Sequence, residues 1–302
     1  MTGRVTQNMF NMNLMKNLNG NLSRLNTYSE QMSSLRKINR PSDDPIGISY
    51  SLRYRSDRAA NEQYKANLDS AQSFLEYTDT MVGQLGDVVH RIRELTLKGV
   101  NGTNPDISLE SIKNEVEQLK EQLVQIGNSA FNGKYIFNGQ LTNVQPYQDG
   151  VAPETVDNID QGALTYEIGQ GIYIDVNMTG TVVFGGQNEP NSDNLFQVVQ
   201  DIMDALATGD TNGMNDGISR LDSRFDKILE VRSQVGAKAN RLDLAAERLE
   251  DIDIKLQSLQ SKTEDVDMAA LIVNIKTAEN AYLASLSAGS RIVQKSLVDF
   301  LR

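Results

Sequence analysis

Residues 271–302 read LIVNIKTAENAYLASLSAGSRIVQKSLVDFLR, and the reading of this stretch decides the fold. Alternating steps of four and three place Leu271, Ile275, Ala278, Tyr282, Ser285, Gly289, Ile292, Ser296 and then Asp299–Phe300 on one line. That line is the seam of a helix coiling against a partner. Ala278, Ser285, Gly289 and Ser296 make the seam small. A glycine inside a helix costs about 1 kcal/mol against alanine, so Gly289 predicts close backbone approach by a neighbour. No charge occurs from Asn280 to Ser290, too bare for a helix with one wet face. The segment needs cover, and the chain must supply some of it.

The other end supplies a match. From Asn8 to Arg36 the same four–three steps pick out Leu14, Leu18, Asn21, Leu25, Tyr28, Met32 and Leu35. Asn21 is the kind of polar seam residue that fixes register. Basic residues lead here: Arg4, Lys16, Arg24, Arg36, Lys37 and Arg40 stand against Glu30 alone. They form either a solvated helix face or a surface complementary to an acidic neighbour.

Working inward, Pro41, Ser42, Asp43, Asp44 and Pro45 form a helix break, because two prolines four apart cannot sit inside one helix. Asp44 before Pro45 fits a cap and first position for a helix through Ile48, Leu52 and Tyr54. Capping is a better reading of the Asp43–Asp44 pair than cation binding, since no further carboxylate is near. From Tyr64 the seam runs Leu68, Ala71, Leu75, Thr78, Val82, Leu85, Val89, Ile92 and Thr96, followed by a loop and a second helix with Leu109, Ile112, Val116, Leu119, Leu123 and Ile126 on one face. After Gly127 the period changes to two. Residues 131–139, 164–168, 172–176 and 181–184 predict short antiparallel strands. Helical spacing returns at Leu195 and again from Ile218 to Leu259, with an interruption at Gly236, and Glu264 to Asp267 offers the start of the last helix.

The expected fold is mainly α: an elongated nested helical bundle with coiled-coil termini and a small antiparallel β insertion domain. Its expected divisions are 1–42 pairing with 260–302 as an inner domain, 43–134 with 191–259 as a helical rod, and 135–190 as the insertion.

Composition bounds the chemistry. The 302 residues include no Cys and no Trp, one His, and a net charge of −11. Twelve of the 40 acidic residues lie between Tyr135 and Ser219, where there is no Lys or Arg, so that segment holds essentially the whole imbalance. It reads as a solvated, mutually repelling surface. No basic stripe favours nucleic acid, no apolar run spans a membrane, and the polar first residues lack the core of a secretory signal peptide. His90 has no Cys or second His to join it in a metal or nucleophile site. Residues 210–217 depart from a calcium loop at Met214 and Asn215, and Gly169-Gln-Gly171 lacks the third glycine of a phosphate loop. No catalytic, cofactor or metal site is expected.

Four ordered motifs carry a resemblance. Ile38-Asn-Arg-Pro-Ser-Asp-Asp-Pro-Ile-Gly47, Phe131-Asn-Gly-Lys-Tyr-Ile-Phe-Asn-Gly139, Arg232-Ser-Gln-Val-Gly-Ala-Lys-Ala-Asn-Arg-Leu242 and Ser296-Leu-Val-Asp-Phe-Leu301 resemble the flagellin superfamily. Within it, Arg4-Val-Thr-Gln-Asn-Met9, Pro41 with Pro45, and Glu264-Asp-Val-Asp-Met-Ala269 resemble the hook-associated proteins of the hook–filament junction. The resemblance implies a subunit exported unfolded through the flagellar type III channel without signal cleavage, with an export chaperone on the C-terminal helix. It also implies an extracellular tube layer, a ring or helix of copies of this chain, fitted to a hook-side hook-associated protein below and flagellin above. Leu14, Leu18, Leu25, Met32, Leu35, Leu271, Ile275, Ala278, Tyr282, Gly289, Ile292 and Phe300 are then the expected assembly residues. A short or minor filament flagellin and a cytosolic coiled-coil interaction or signalling protein are the alternatives.

Overall fold

The computed structural model describes residues 7–101, 106–148, 150–156, 159–186 and 193–300, and for 7, 8, 10, 106, 107 and 291–300 the backbone only. In chain order the elements are α1 (Gln7–Ser34), α2 (Pro45–Val100), α3 (Asp106–Gly127), β1 (Ala130–Phe131), β2 (Lys134–Tyr135), a 3₁₀ turn (Pro153–Thr155), β3 (Thr165–Gly169), β4 (Ile172–Asp175), α4 (Gly180–Phe184), α5 (Leu195–Thr208), α6 (Thr211–Glu264) and α7 (Met268–Phe300). The fold is mainly α, and the described strands form two antiparallel pairs, β1–β2 and β3–β4. Two compact units result: Met1–Ala60 with Ile252–Arg302, and Asn61–Asp251.

The second unit holds the main core. All nine seam residues expected between Leu68 and Thr96 are buried along α2. The two threonines among them satisfy their hydroxyls locally, Thr78 donating to the Phe74 carbonyl and Thr96 to the Ile92 carbonyl, both at 2.8 Å. Val116, Leu123 and Ile126 of α3, most of one face of α5, and Leu221, Ile228, Val235 and Leu242 of α6 complete it. Where the chain leaves α3, four rings meet. Phe184 stacks on Phe196 at 5.3 Å, and Phe137 and Tyr147 meet Phe184 edge-on at 5.3 and 5.7 Å. Burial of Tyr147 pushes its phenol well above the ordinary range.

The turn between β1 and β2 is built by Asn132 and Gly133, with φ of 50° and 75°. Two successive left-handed residues suit a tight hairpin, which is why Asn-Gly stands there. The strands are only two residues each, and Ile136 and Phe137 pass beyond them into the core. The expected β3–β4 hairpin forms around Gly171, with Thr165 opposite Asp175 and an irregularity between Glu167 and Gly169.

Three local expectations need correcting. The stretch 181–184 is not a strand but part of α4. Its β-branched residues favour extended backbone, yet Val183 and Phe184 gain full burial in the helical form. The Arg224 guanidinium then donates to the Val182 carbonyl at 3.1 Å, a cation at a helix C-terminus. Second, α6 passes through Gly236 unbroken; one glycine lowers helix stability without ending a helix this well packed. Third, Glu264 closes α6 and does not open α7. Asp267 is the cap of α7, its Oδ1 accepting from the amides of Ala269 at 2.9 Å and Ala270 at 3.2 Å.

The acidic stretch is also less self-repelling than its composition implies. Cations from beyond its two ends reach in: Lys120 to Glu154 at 3.0 Å, Arg220 to Asp201 at 2.6 Å, and Arg224 to Asp193. The Arg224 side chain is almost wholly buried in doing so.

Candidate assembly interface

In the first unit α1 packs antiparallel on α7. Leu14, Leu18, Asn21, Leu25 and Tyr28 are half-buried on α1, while Leu271 and Gly289 are buried and Ile275, Ala278, Tyr282 and Ser285 half-buried on α7. Most neighbouring positions are exposed, with Gly20, Gln31 and Glu279 half-buried, so the four–three spacing is visible in the burial itself. Asn21 donates from Nδ2 to Ser285 Oγ at 2.9 Å, tying a polar layer across the seam. At Gly289 a Cβ would lie 3.1 Å from Leu14 Cδ2, so the close approach there is made by a leucine side chain.

The seam does not run the full length predicted. Met32 is 47% exposed, and Leu35 is 57% exposed, lies beyond α1 and turns the chain with φ of 58°. The side chains of Ile292 and Phe300 lie outside the described residues. Pairing also leaves large apolar groups uncovered: Met12, Met15 and Leu22 on α1, and Ile272, Leu283 and Leu286 on α7. Large exposed apolar groups mark interaction sites where they gather into a patch.

Below the pair, the two connecting segments are clipped together. Arg36 and Asp265 form an antiparallel bridge, flanked by Lys37 N donating to Glu264 O at 2.6 Å and Val266 N to Leu35 O at 3.3 Å. The break motif then does two capping jobs. Asp43 Oδ2 accepts from the amides of Asn39 and Arg40 at 3.1 and 2.9 Å, closing the turn that contains Pro41 and Ser42. Asp44 Oδ1 accepts from the amides of Ile46 and Gly47 at 3.1 and 2.9 Å, with Pro45 at the first helical position. Ile38 is buried against Gly47, where a Cβ would come within 2.6 Å of Ile38 Cδ1.

Glu264 is the residue that sequence reasoning missed. Its side chain is 3% exposed and gathers four partners. Arg55 donates through Nε at 2.9 Å and Nη2 at 2.6 Å, Ser51 donates its hydroxyl, and Arg36 Nε stands 3.7 Å away, with Gln260 Nε2 at 3.4 Å. Burial alone would push this carboxyl up. The hydrogen bonds from Arg55 and Ser51 and the charges of Arg55 and Arg36 outweigh it and hold the group below its ordinary range. Arg55 is pushed up in return, chiefly by its hydrogen bond to Glu264.

Chemistry-bearing groups stay scattered. His90 is exposed, with Nδ1 3.6 Å from Glu94 Oε1. Among the described residues no group of three or more His, Cys, Asp or Glu side chains could hold a metal ion, and no helix is long and apolar enough to cross a membrane.

A helical chain with paired ends, capped connections and uncovered apolar faces suits the class of structural subunits. Residues 5–142 match the family model for the bacterial flagellin N-terminal helical region, and residues 218–301 that for the bacterial flagellin C-terminal helical region, together well over half of the chain. The flagellar filament 30.7 kDa core protein of Treponema maltophilum is 27% identical over 271 residues, 89% of each chain. Flagellar hook-associated protein 3 of Escherichia coli strain K12 is 25% identical over 300 residues, 94% of each. In fold, the chain is similar to the crystal structure of flagellar hook-associated protein-3 from Legionella pneumophila, with a TM-score of 0.63 at 16% identity over 70% of this chain and 98% of that one. The chain belongs to the bacterial flagellin family, whose members are structural proteins of the flagellum and not enzymes.

Proposed function

We propose that this chain is a junction subunit, adapting the hook to the flagellin filament by forming a ring or helical layer through its terminal helices. The observation that carries the assembly half is the α1–α7 pair, which spends one seam on itself and leaves Met15, Leu22, Leu283 and Leu286 exposed. Large apolar side chains held out on a helix pair favour a protein neighbour, and a heterologous contact between copies builds rings or helices. The junction half is supported by the likeness to hook-associated protein 3 along nearly the whole of both chains. In this reading 1–42 with 260–302 form the inner domain, 43–134 with 191–259 the rod, and 135–190 the outer insertion. The assembly residues expected from the sequence keep that role, a hook-side hook-associated protein lies below and flagellin above, and an export chaperone covers the C-terminal helix before export to the cell exterior.

A second reading, a minor filament flagellin, draws on the similarly strong likeness to the Treponema maltophilum filament core protein. Immunogold electron microscopy of intact flagella separates the two. Label in one band where hook meets filament is the expected result. Label along the filament makes the chain a flagellin, and unlabelled flagella with protein left in the cytosol remove both readings.

A further inference from the structure

The methionines of this chain divide by place. Met178, Met203 and Met214 are buried in the second unit. Among the described residues, the exposed ones lie on the terminal helices: Met9, Met12, Met15 and Met32 on α1, and Met268 at the start of α7. Three of them crowd into about two turns of α1, Met9 52%, Met12 72% and Met15 57% exposed. At about 100° per residue, Met9 and Met12 stand about 150° round the helix from the middle of its seam, on opposite hands, and Met15 about 90°. This face turns away from α7.

The seam is chemically different. None of the residues on its line, Leu14 through Tyr28 on α1 and Leu271 through Gly289 on α7, carries sulfur. A thioether is the soft, oxidisable group among apolar side chains, whereas leucine and isoleucine are inert to mild oxidants. The groups that hold the pair together and the groups it holds out to a neighbour therefore differ in reactivity.

We infer that Met9, Met12 and Met15 form an oxidation site, at which hydrogen peroxide switches assembly of the chain off without unfolding it. The inference rests on the reading that the terminal helices assemble. Each thioether sulfur gives an electron pair to one peroxide oxygen. An S–O bond forms, the O–O bond breaks, and the second oxygen leaves as water with both peroxide protons. Sulfur is oxidised by two electrons and peroxide reduced by two. The product is a polar, chiral sulfoxide in place of a flexible apolar group. In the free chain these sulfoxides meet solvent, and the sulfur-free seam keeps α1 on α7. Against a neighbour the S–O group would be buried without a hydrogen-bond partner, which opposes the contact. Sulfoxide reductases restore the thioether, so the change is reversible.

The chain has no cysteine, so no thiol competes for the oxidant. Full-length protein would be treated with dilute hydrogen peroxide and mapped by peptide mass spectrometry. Met9, Met12 and Met15 are expected to gain one oxygen each about tenfold faster than Met178, Met203 and Met214. Helix content by circular dichroism is expected to stay unchanged. Association at high protein concentration, read by sedimentation, is expected to be lost on oxidation and to return after treatment with sulfoxide reductases. A triple variant, Met9→Leu with Met12→Leu and Met15→Leu, nearly conserves volume and should associate with or without peroxide. Equal oxidation rates at all six positions, loss of helix on oxidation, or unimpaired association of the oxidised protein would each overturn the inference. So would peroxide that still abolishes association in the triple variant. Failure of the untreated protein to associate would instead remove the assembly reading, and this inference with it.

Discussion

Arg55 grips the buried carboxylate of Glu264 through two nitrogens, at 2.9 and 2.6 Å, across 209 positions of sequence. The pair fastens the beginning of α2 to the end of α6 at the point where the chain turns into α7.

Removing the carboxylate should therefore be costly. Glu264→Ala leaves the cations of Arg55 and Arg36 facing a site with no anion, and removing one partner of a buried pair typically costs about 3–5 kcal/mol. Because Arg55 is 39% exposed and can partly rehydrate, the lower end is expected. Urea denaturation followed by circular dichroism measures it, and a loss below about 1 kcal/mol would contradict the role given to Glu264.

The same carboxylate makes stability depend on acid. Its folded value lies below the ordinary 4.5, so its contribution is fully present above that pH and is lost as pH falls through the folded value. The stability gap between the native chain and Glu264→Gln should be constant from pH 7 to about pH 5 and shrink steadily below it. A gap that widens on acidification would reverse the sign argued here.

Two glycines in long helices should respond oppositely to alanine. At Gly47 the new Cβ would come within 2.5 Å of Asp44 Oδ2 and 2.6 Å of Ile38 Cδ1, so Gly47→Ala should cost about 1–3 kcal/mol through overpacking and a displaced cap. At Gly236 nothing lies within 4 Å, and Gly236→Ala should stabilise by about 0.5–1 kcal/mol. Thermal melts of the two variants should move in opposite directions.

Across the terminal pair, the hydrogen bond from Asn21 to Ser285 should appear as coupling. A double-mutant cycle with Asn21→Ala and Ser285→Ala is expected to give an interaction of about 0.5–1.5 kcal/mol. Strict additivity would mean the contact does not tie the seam.

Much of this architecture was legible because helices announce themselves by period. The seam from Leu68 to Thr96 and that from Leu271 to Gly289 were read from spacing alone, since each position must face the same side at 3.6 residues per turn. The Asp44–Pro45 start was legible for a local reason too, as capping chemistry needs only adjacent residues. What escaped was decided at a distance. Glu264 looked like one more acidic residue near a helix end, because its partners Ser51 and Arg55 lie 213 and 209 positions away and no periodic rule pairs them. The helix at 180–184 escaped because five residues are too few for a period. Its shape is set by the aromatic cluster and by Arg224. Leu35 left the seam because the chain turns there, ending the helix before the heptad pattern did.

The pairing of α1 with α7 also joins the two ends of the chain. Asn21 and Ser285 are 264 positions apart, and Leu14 meets Gly289 across a still longer stretch. A chain that emerges N-terminus first, from a ribosome or through any narrow passage, carries α1 without its mate until almost the last residue is free. For such a chain the terminal pair cannot close before α7 is free, and a chain cut short before α7 never closes it. The faces that would touch other copies are set at their final angles only once the whole chain is present, so the fold checks its own completeness.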